Sequence, residues 1–457
     1  LTAKGGLRRM KKYDEYKDVQ MGWLNKIPIH WTTVSLKFST GNKPLSFVDG
    51  DWIESKVIKS DGIRYLTTGN VGVISYKEQG NGFISEQTFK ELNCTEVFSG
   101  DILISRLNFP IGRACIVPDL GYRIVVAVDN VIFRPDTTKY NRRYLVYQMN
   151  CYPYSENANV LGRGSTMQRI TRTQLGAFKL CVPPLPEQVA IASYLDTKCA
   201  KIDNLISIQQ KRIALLQELK QSVITHAVTK GLNPNVEMKQ SGVEWIGDVP
   251  KHWEVCKLKH YSQVFGRIGF RGYNQTDLVN EGEGAITLSP SNMQNGILNY
   301  DKCSYLSWKK YYESPEIMIY NDDVLFVKTG STYGKISYVA DLPMEATINP
   351  QIVVFKNIKG NNKYLYYLLS NDIVQMQVSL TVGGSTIPTL SQESILNYIV
   401  PLAPKVEQAA IASYLDHKCA TIDVSISNAQ HQIDLLQEYK QSLITEVVTG
   451  KRKVTDN

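Results

Sequence analysis

EQVAIASYLDTKCAKID, at Glu187 to Asp203, returns as EQAAIASYLDHKCATID at Glu407 to Asp423. Followed on to Gly231 and Lys451, the two copies agree at roughly 29 of 45 positions with an offset of 220 residues, a level that chance periodicity does not reach. The chain is one unit written twice. Within each copy the apolar spacing is helical. Ile202, Ile206, Gln209, Ile213, Leu216, Lys220, Val223 and Ala227 alternate by four and three, and Ile422, Ile426, Ala429, Ile433, Leu436, Lys440, Leu443 and Val447 copy them. The expected coiled-coil seam is Ile202, Ile206, Ile213, Leu216 and Val223 against Ile422, Ile426, Ile433, Leu436 and Leu443, with Leu219 and Tyr439 widening the apolar face. Gln209, Lys220 and Lys440 are polar seam positions that can set register. Pro183, Pro184 and Pro186 precede the first helix and Pro401 and Pro404 the second, while Gly231 and Gly450 end them. From Ile202 onward a helix of about 28 residues spans on the order of 40 Å, more than a small domain's own core requires. Antiparallel pairing of the two helices would relate the rest of the chain by an internal pseudo-twofold axis. Packing of each helix on its own domain is the alternative.

A second pair of segments opens the halves. MGWLNKIPIHW (Met21 to Trp31) matches VEWIGDVPKHW (Val243 to Trp253), keeping Trp23 with Trp245, Pro28 with Pro250 and Trp31 with Trp253. Between these marks the likeness thins. SGDILISRLNFPIGRACIV (Ser99 to Val117) still aligns with YNDDVLFVKTGSTYGKISYV (Tyr320 to Val339), and GST at Gly164 to Thr166 with GST at Gly384 to Thr386. Conserved ends around divergent middles suit two binding modules that share a scaffold and read different targets; drift in a degenerate half is the alternative. The middles contain β-type runs such as IRYLTT, DILIS, RIVVAV and NVIF, then VLFVK, KISYV and QIVVF, each followed by an aromatic helix candidate, Arg142 to Asn150 and Lys363 to Asn371. The fold class is therefore α/β (α+β): two tandem mixed modules separated by two long helices. The expected boundaries are a tail at 1–20, a module at 21–184, a helix at 185–231, a linker at 232–242, a module at 243–403 and a helix at 404–451.

With 457 residues, 43% apolar and 21% charged, the chain holds two or three globular domains and is not disordered. A net charge of +8 suits a polyanion partner and equally a basic enzyme. The eight cysteines form no C-x-x-C pair and no cluster with histidine, so buried reduced thiols are expected rather than disulfides or a metal site. No apolar stretch approaches a membrane span, and the basic segment Leu1 to Lys12 lacks the apolar core of a secretory signal, which predicts a cytoplasmic location. TGSTYGKIS (Thr329 to Ser337) fails as a phosphate loop because Thr329 replaces the first glycine and Ile336 follows Lys335. No G-x-S-x-G elbow, H-E-x-x-H pair, dinucleotide fingerprint or N-P-P-[FY] loop is present. His30 and His252, beside repeated tryptophans, suit packing better than acid-base work. No catalytic constellation is expected.

The Gly-containing loops of the middles carry donors with the geometry to meet base edges and phosphates: Arg106, Asn108, Arg113, Arg163, Thr166, Gln168, Arg169 and Arg172 in the first half, and Lys328, Thr329, Ser331, Lys335, Ser385 and Thr386 in the second. An exposed arginine is more often a solvated surface charge than a contact.

Taken together in duplicate, the two W-x-x-x-x-P-x-H-W openings, GDIL with Ser105-Arg106, Ile111 to Arg113, the two GST segments, and PLPEQVAIASYLD (Pro184 to Asp196) with VEQAAIASYLD (Val406 to Asp416) resemble the specificity subunits of type I restriction-modification systems over nearly the whole chain. That resemblance implies two target recognition domains, each reading one half of a bipartite double-stranded DNA site, with the helices pairing antiparallel to fix the spacer. It also implies two modification subunits that carry S-adenosylmethionine and two ATP- and Mg-dependent restriction subunits as partners, so that this chain holds no cofactor and catalyses nothing. The second half departs from the first at Asn321-Asp322-Asp323 and Lys328-Thr329, where the first has Ser99-Gly100-Asp101 and Arg106-Leu107, which leaves open whether these positions touch DNA or shape the loop. The rival readings are a helical adaptor with two protein-binding domains, which would lack salt-dependent DNA affinity, and a fused nuclease or methyltransferase, which would act without partners.

Overall fold

The computed structural model describes residues 11–164, 167–294, 296–382 and 388–454. They form two compact units, one of residues up to 209 together with 431 onward, the other of residues 210–430. In the first unit a four-stranded antiparallel sheet runs in the order Phe47–Asp49, Asn130–Phe133, Ile102–Ser105, Ala114–Ile116. Its two central strands are buried on both faces. Ile102, Ile104, Val131 and Phe133 join a core with the helix residues Tyr144, Leu145 and Tyr154, whereas Leu103, Cys115 and Ile132 face Leu66 and Val126 of a second sheet. This alternation follows from the pleat, which sends successive side chains to opposite faces. The continuous apolar runs DILIS and NVIF therefore mark a sheet covered on both sides.

The second unit repeats this architecture with Gln263–Gly266, Ile352–Lys356, Val324–Val327 and Ile336–Tyr338. The second sheets also correspond. Ile63–Leu66 lies parallel to Ile124–Val126 with Arg64 opposite Ile124, and Gly284–Leu288 lies parallel to Ala346–Ile348 with Ile286 opposite Ala346, an unchanged offset of 222. The divergent middles thus preserve strand register. They differ in extent, since the sheet has three strands in the first unit and five in the second, which adds Leu278–Val279 and Met318–Ile319.

The long helices are Leu185–Lys230 and Lys405–Val448, 46 and 44 residues, about 69 and 66 Å at the usual rise. Each unit contains the beginning of one helix and the end of the other. In the first, Lys440 Nζ lies 2.6 Å from Asp203 while Gln148 Nε2 donates to both Cys181 O and Val448 O, so the paired segments run antiparallel. In the second, Lys220 Nζ lies 2.7 Å from Asp423 and Gly231 lines one hollow with Glu407, again antiparallel. Ile202, Ile422, Ile433 and Leu443 are buried; Ile206, Ile213, Leu216, Val223, Ile426 and Leu436 are half-buried. Leu219 and Tyr439 do not widen the seam. They are 50% and 52% exposed, because Lys220 and Lys440 occupy the adjacent seam positions and each residue turns the helix by about 100°.

The identity of the two copies has a polar cause. Glu187, in the first turn of its helix, accepts from Tyr13 Oη and Trp31 Nε1 and lies 2.9 Å from His30 Nε2. Glu407 takes Trp253 Nε1 at 3.0 Å and His252 Nε2 at 2.6 Å. Gln188 and Gln408 each accept the N–H of the residue that caps the aromatic helix, Asn141 and Asn361. Asp196 accepts from Tyr147 Oη and Asp416 from Tyr367 Oη. Glu187, Gln188 and Gln408 are buried and the other acceptors half-buried, places that tolerate few replacements because a lost partner leaves a desolvated polar group.

Two expected boundaries are corrected. Residues 11–20 are no loose tail, since Tyr16–Asp18 pairs with Lys26–Pro28 and Tyr13 is buried against Glu187. The linker at 232–242 contains Met238–Gln240, which pairs with Asp248–Pro250 as the second copy of that hairpin. Sequence missed both because three-residue strands carry too short an alternation to register. If the seam is the buried stripe, Leu443→Ala lowers unfolding free energy by about 2–5 kcal/mol through the cavity it leaves, while Leu219→Ala stays within about 0.5 kcal/mol, as chemical denaturation will measure.

Candidate nucleic-acid interface

In the first unit, residues 106–113 connect two adjacent strands and are laced to residues 163–170, distant in sequence. Asn108 N donates to Gln168 O, Ile170 N to Arg106 O, and Arg163 and Arg169 exchange backbone bonds of 3.0 and 2.9 Å. The second unit has the same lacing, with Gly330 N donating to Pro388 O, Leu390 N to Lys328 O, and Thr329 bridged to Thr389. The first unit therefore brings its two candidate segments onto one loop surface, and in the second residues 328–330 meet residues 388–390 in the same way. Thr166, Ser385 and Thr386 lie outside the described residues.

The candidates divide by how their donors are used. Arg113 directs its guanidinium inward, Nε to Val71 O at 2.7 Å, Nη1 to the carbonyls of Leu107, Asn108 and Pro110, and Nη2 to Thr68 O at 2.8 Å. Arg106 is 5% exposed, donates to Ile170 O and Val128 O, and places Nε 3.1 Å from Asp49. Burial pushes both guanidinium groups below their ordinary range, opposed in Arg106 chiefly by Asp49. These two arginines shape the loops instead of facing outward, a correction to the expectation of base contact. Withdrawing a donor from a buried carbonyl would cost about 1–3 kcal/mol.

Arg169 and Arg172 differ. Arg169 Nη2 sits 2.9 Å from Asp129 and Arg172 Nε 3.5 Å from Asp49, with the arginine side chains 45% and 43% exposed. Asn108 and Arg163 are exposed and Gln168 is half-buried. In the second unit Lys328, Thr329 and Lys335 are half-buried and Ser331 is exposed; desolvation lowers the Lys328 ammonium below its usual range. Where the first unit has Asp49, Asp129, Arg169 and Arg172, the second has Gly266, Gln351, Thr389 and Gln392, all uncharged. One frame thus carries a charged array in one unit and an amide-rich one in the other.

Asp49 and Asp129 were not singled out in the sequence, because nothing in local spacing ties them to arginines that lie far along the chain. Trp52 was also missed. It is 71% exposed and follows Asp51, whose backbone bonds Val126 and Val128 beside the Arg106 anchor. A tryptophan reads the same in sequence whether buried or exposed. Among the described residues no group of three His, Cys, Asp or Glu side chains is arranged to hold a metal ion, and no helix is long and apolar enough to cross a membrane. His30 and His252 serve the Glu187 and Glu407 contacts.

Comparison with known proteins gives this geometry its context. The family model of the type I restriction modification DNA specificity domain matches twice, at residues 50–218 and 250–433. The type I restriction enzyme MjaIX specificity subunit of Methanocaldococcus jannaschii is 22% identical over 97% of both chains. The MjaVIII specificity subunit of the same organism is 25% identical over 64% of this chain and 66% of its own. A solved chain from work on complex assembly and conformational transition of the type I R-M system superposes with a TM-score of 0.69 at 14% identity, covering 93% of this chain and 100% of that one. With two matches that together take in most of its length, the chain belongs to the type I restriction modification DNA specificity domain family.

Proposed function

We propose that this chain is the specificity subunit of a type I restriction-modification complex and that each unit reads one half of a bipartite double-stranded DNA site. The observation that carries this reading is the pair of equivalent loop surfaces, held in the same register by the same backbone bonds but lined with different donors. A scaffold kept twice and a surface changed between copies suit recognition of two different sequences. Backbone contacts would position each unit on phosphates, and a few loop side chains would meet base edges in the grooves of half-sites about one helical turn apart. The paired helices set the spacer and dock two modification subunits; two restriction subunits complete the assembly in the cytoplasm. S-adenosylmethionine, ATP and Mg belong to those partners, and this chain contributes recognition without catalysis.

Methylation-site mapping in a host that expresses the chain with its modification subunit tests the reading. A split asymmetric motif that is absent with the modification subunit alone is expected; complex formation without a new motif would favour the protein-binding adaptor. Insertion of four residues into each long helix, about 6 Å of rise, should lengthen the unread spacer by one or two base pairs. An unchanged spacer would refute the ruler role. In binding titrations Arg163→Ala should weaken DNA affinity and flatten its salt dependence while leaving the melting temperature unchanged, whereas Arg113→Ala should lower the melting temperature of the protein itself.

A further inference from the structure

The two carboxylates in the first unit's loop surface are neither surface charges nor fully buried partners. Asp49 is 31% and Asp129 24% exposed, each against an arginine nearly half in solvent. Both carboxylates sit on fixed backbone. Asp49 ends the strand Phe47–Asp49 opposite Val131, followed by Gly50, where a Cβ would stand 2.3 Å from Val126 O, so no side chain can push the strand away. Asp129 O accepts Arg106 N at 2.8 Å. The arginines are fixed as well. Arg169 is held by its backbone exchange with Arg163, and Arg172 opens the helix Arg172–Ala177 behind a capping box made by Thr171 and Gln174.

How each guanidinium is held matters. Arg172 comes nearest Asp49 through Nε, at 3.5 Å, which leaves the end edge of Nη1 and Nη2 as a two-donor edge; Arg169 comes nearest Asp129 through Nη2, at 2.9 Å, and the second Nη2 hydrogen still shares an edge with Nη1 or Nε. A guanidinium edge that presents two parallel N–H donors matches O6 and N7 of guanine in the major groove, the commonest specific arginine contact. An acid at the opposite edge removes the rotamer freedom that a long side chain would otherwise lose on binding. We propose that Asp129 and Asp49 are positioning residues that hold Arg169 and Arg172 as guanine readers for the half-site of the first unit. This rests on the half-site reading above and extends it to a base. The second unit lacks the device: Gly266 has no side chain, and Gln392 pairs with the backbone of Val264 and Gly266 at 3.0 and 3.2 Å.

The test uses the full chain in complex with its modification subunit and the mapped site, with 7-deazaguanine replacing each guanine in turn. In one half-site, at one or two guanines, loss of N7 should weaken the wild-type complex about tenfold. Arg172→Ala and Arg169→Ala should each lose that sensitivity at one guanine, Asp129→Asn should reproduce the Arg169→Ala result with an unchanged melting temperature, and the other half-site should respond as in wild type. Asp49 also contacts buried Arg106, so Asp129→Asn carries the test of positioning even where Asp49→Asn fails to fold. A first half-site without guanine, or 7-deazaguanine sensitivity unaltered in all the variants, would overturn the proposal while the bipartite motif stands. A wild-type complex that yields no motif would overturn the half-site reading and this proposal with it.

Discussion

The antiparallel register of the two long helices governs the rest of this molecule. A lysine on a coiled-coil seam is costly unless its ammonium finds a partner, and Lys220 and Lys440 each find one across the seam, Asp423 and Asp203 at 2.7 and 2.6 Å. The aspartates are more than half exposed, so each pair is worth little as stabilisation, about 0–1 kcal/mol. Their effect is selective, because a shift of one turn along either helix would leave a lysine against apolar neighbours. With register fixed, the end of each helix completes the core of the unit that the other helix begins: Leu443, Ile444, Val447 and Val448 pack with Trp31 and Tyr144, and Ile224, Ala227 and Val228 with Trp253 and Tyr364.

The near-identity of the repeated segments follows from what hangs on these helices. Glu187 and Glu407 anchor the Trp-His openings, Gln188 and Gln408 hold the cap residues of the aromatic helices, and Asp196 and Asp416 take tyrosine hydroxyls. Each role depends on a specific donor or acceptor in a partly desolvated place, where substitution leaves a group unpaired. The strands of the middles are held chiefly by alternating apolar faces, which Val, Ile, Leu and Phe satisfy interchangeably, with a few fixed polar positions such as Asn70 and Asn292. Their sequences therefore drift while Arg64 and Ile286, 222 residues apart, keep equivalent positions in their sheets, opposite Ile124 and Ala346.

This difference also explains what was legible in the sequence. The helices and their seam could be read from the spacing of Ile202 through Leu443, and the strands from runs such as DILIS and QIVVF. The Tyr16–Asp18 and Met238–Gln240 strands could not, being too short to alternate, and were read as tail and linker. The loop donors could be listed but not sorted. Arg106 and Arg113 look like Arg169 and Arg172 in a string of letters, yet the first pair satisfies backbone carbonyls and the second leans on carboxylates at the surface. What separates them is the position of Asp49, Asp129, Val71 and Thr68, residues brought near only by the closed sheet.

A scaffold that is common to both units and loop surfaces that are private to each should be exchangeable. The most direct measurement is methylation-site mapping of a complex whose chain carries residues 254–402 in both halves, joined at the matched strands Thr32–Ser35 and Glu254–Lys257. The account predicts a motif made of two copies of the second unit's half-site. A motif that still contains the first half-site would place recognition outside the middles and contradict it.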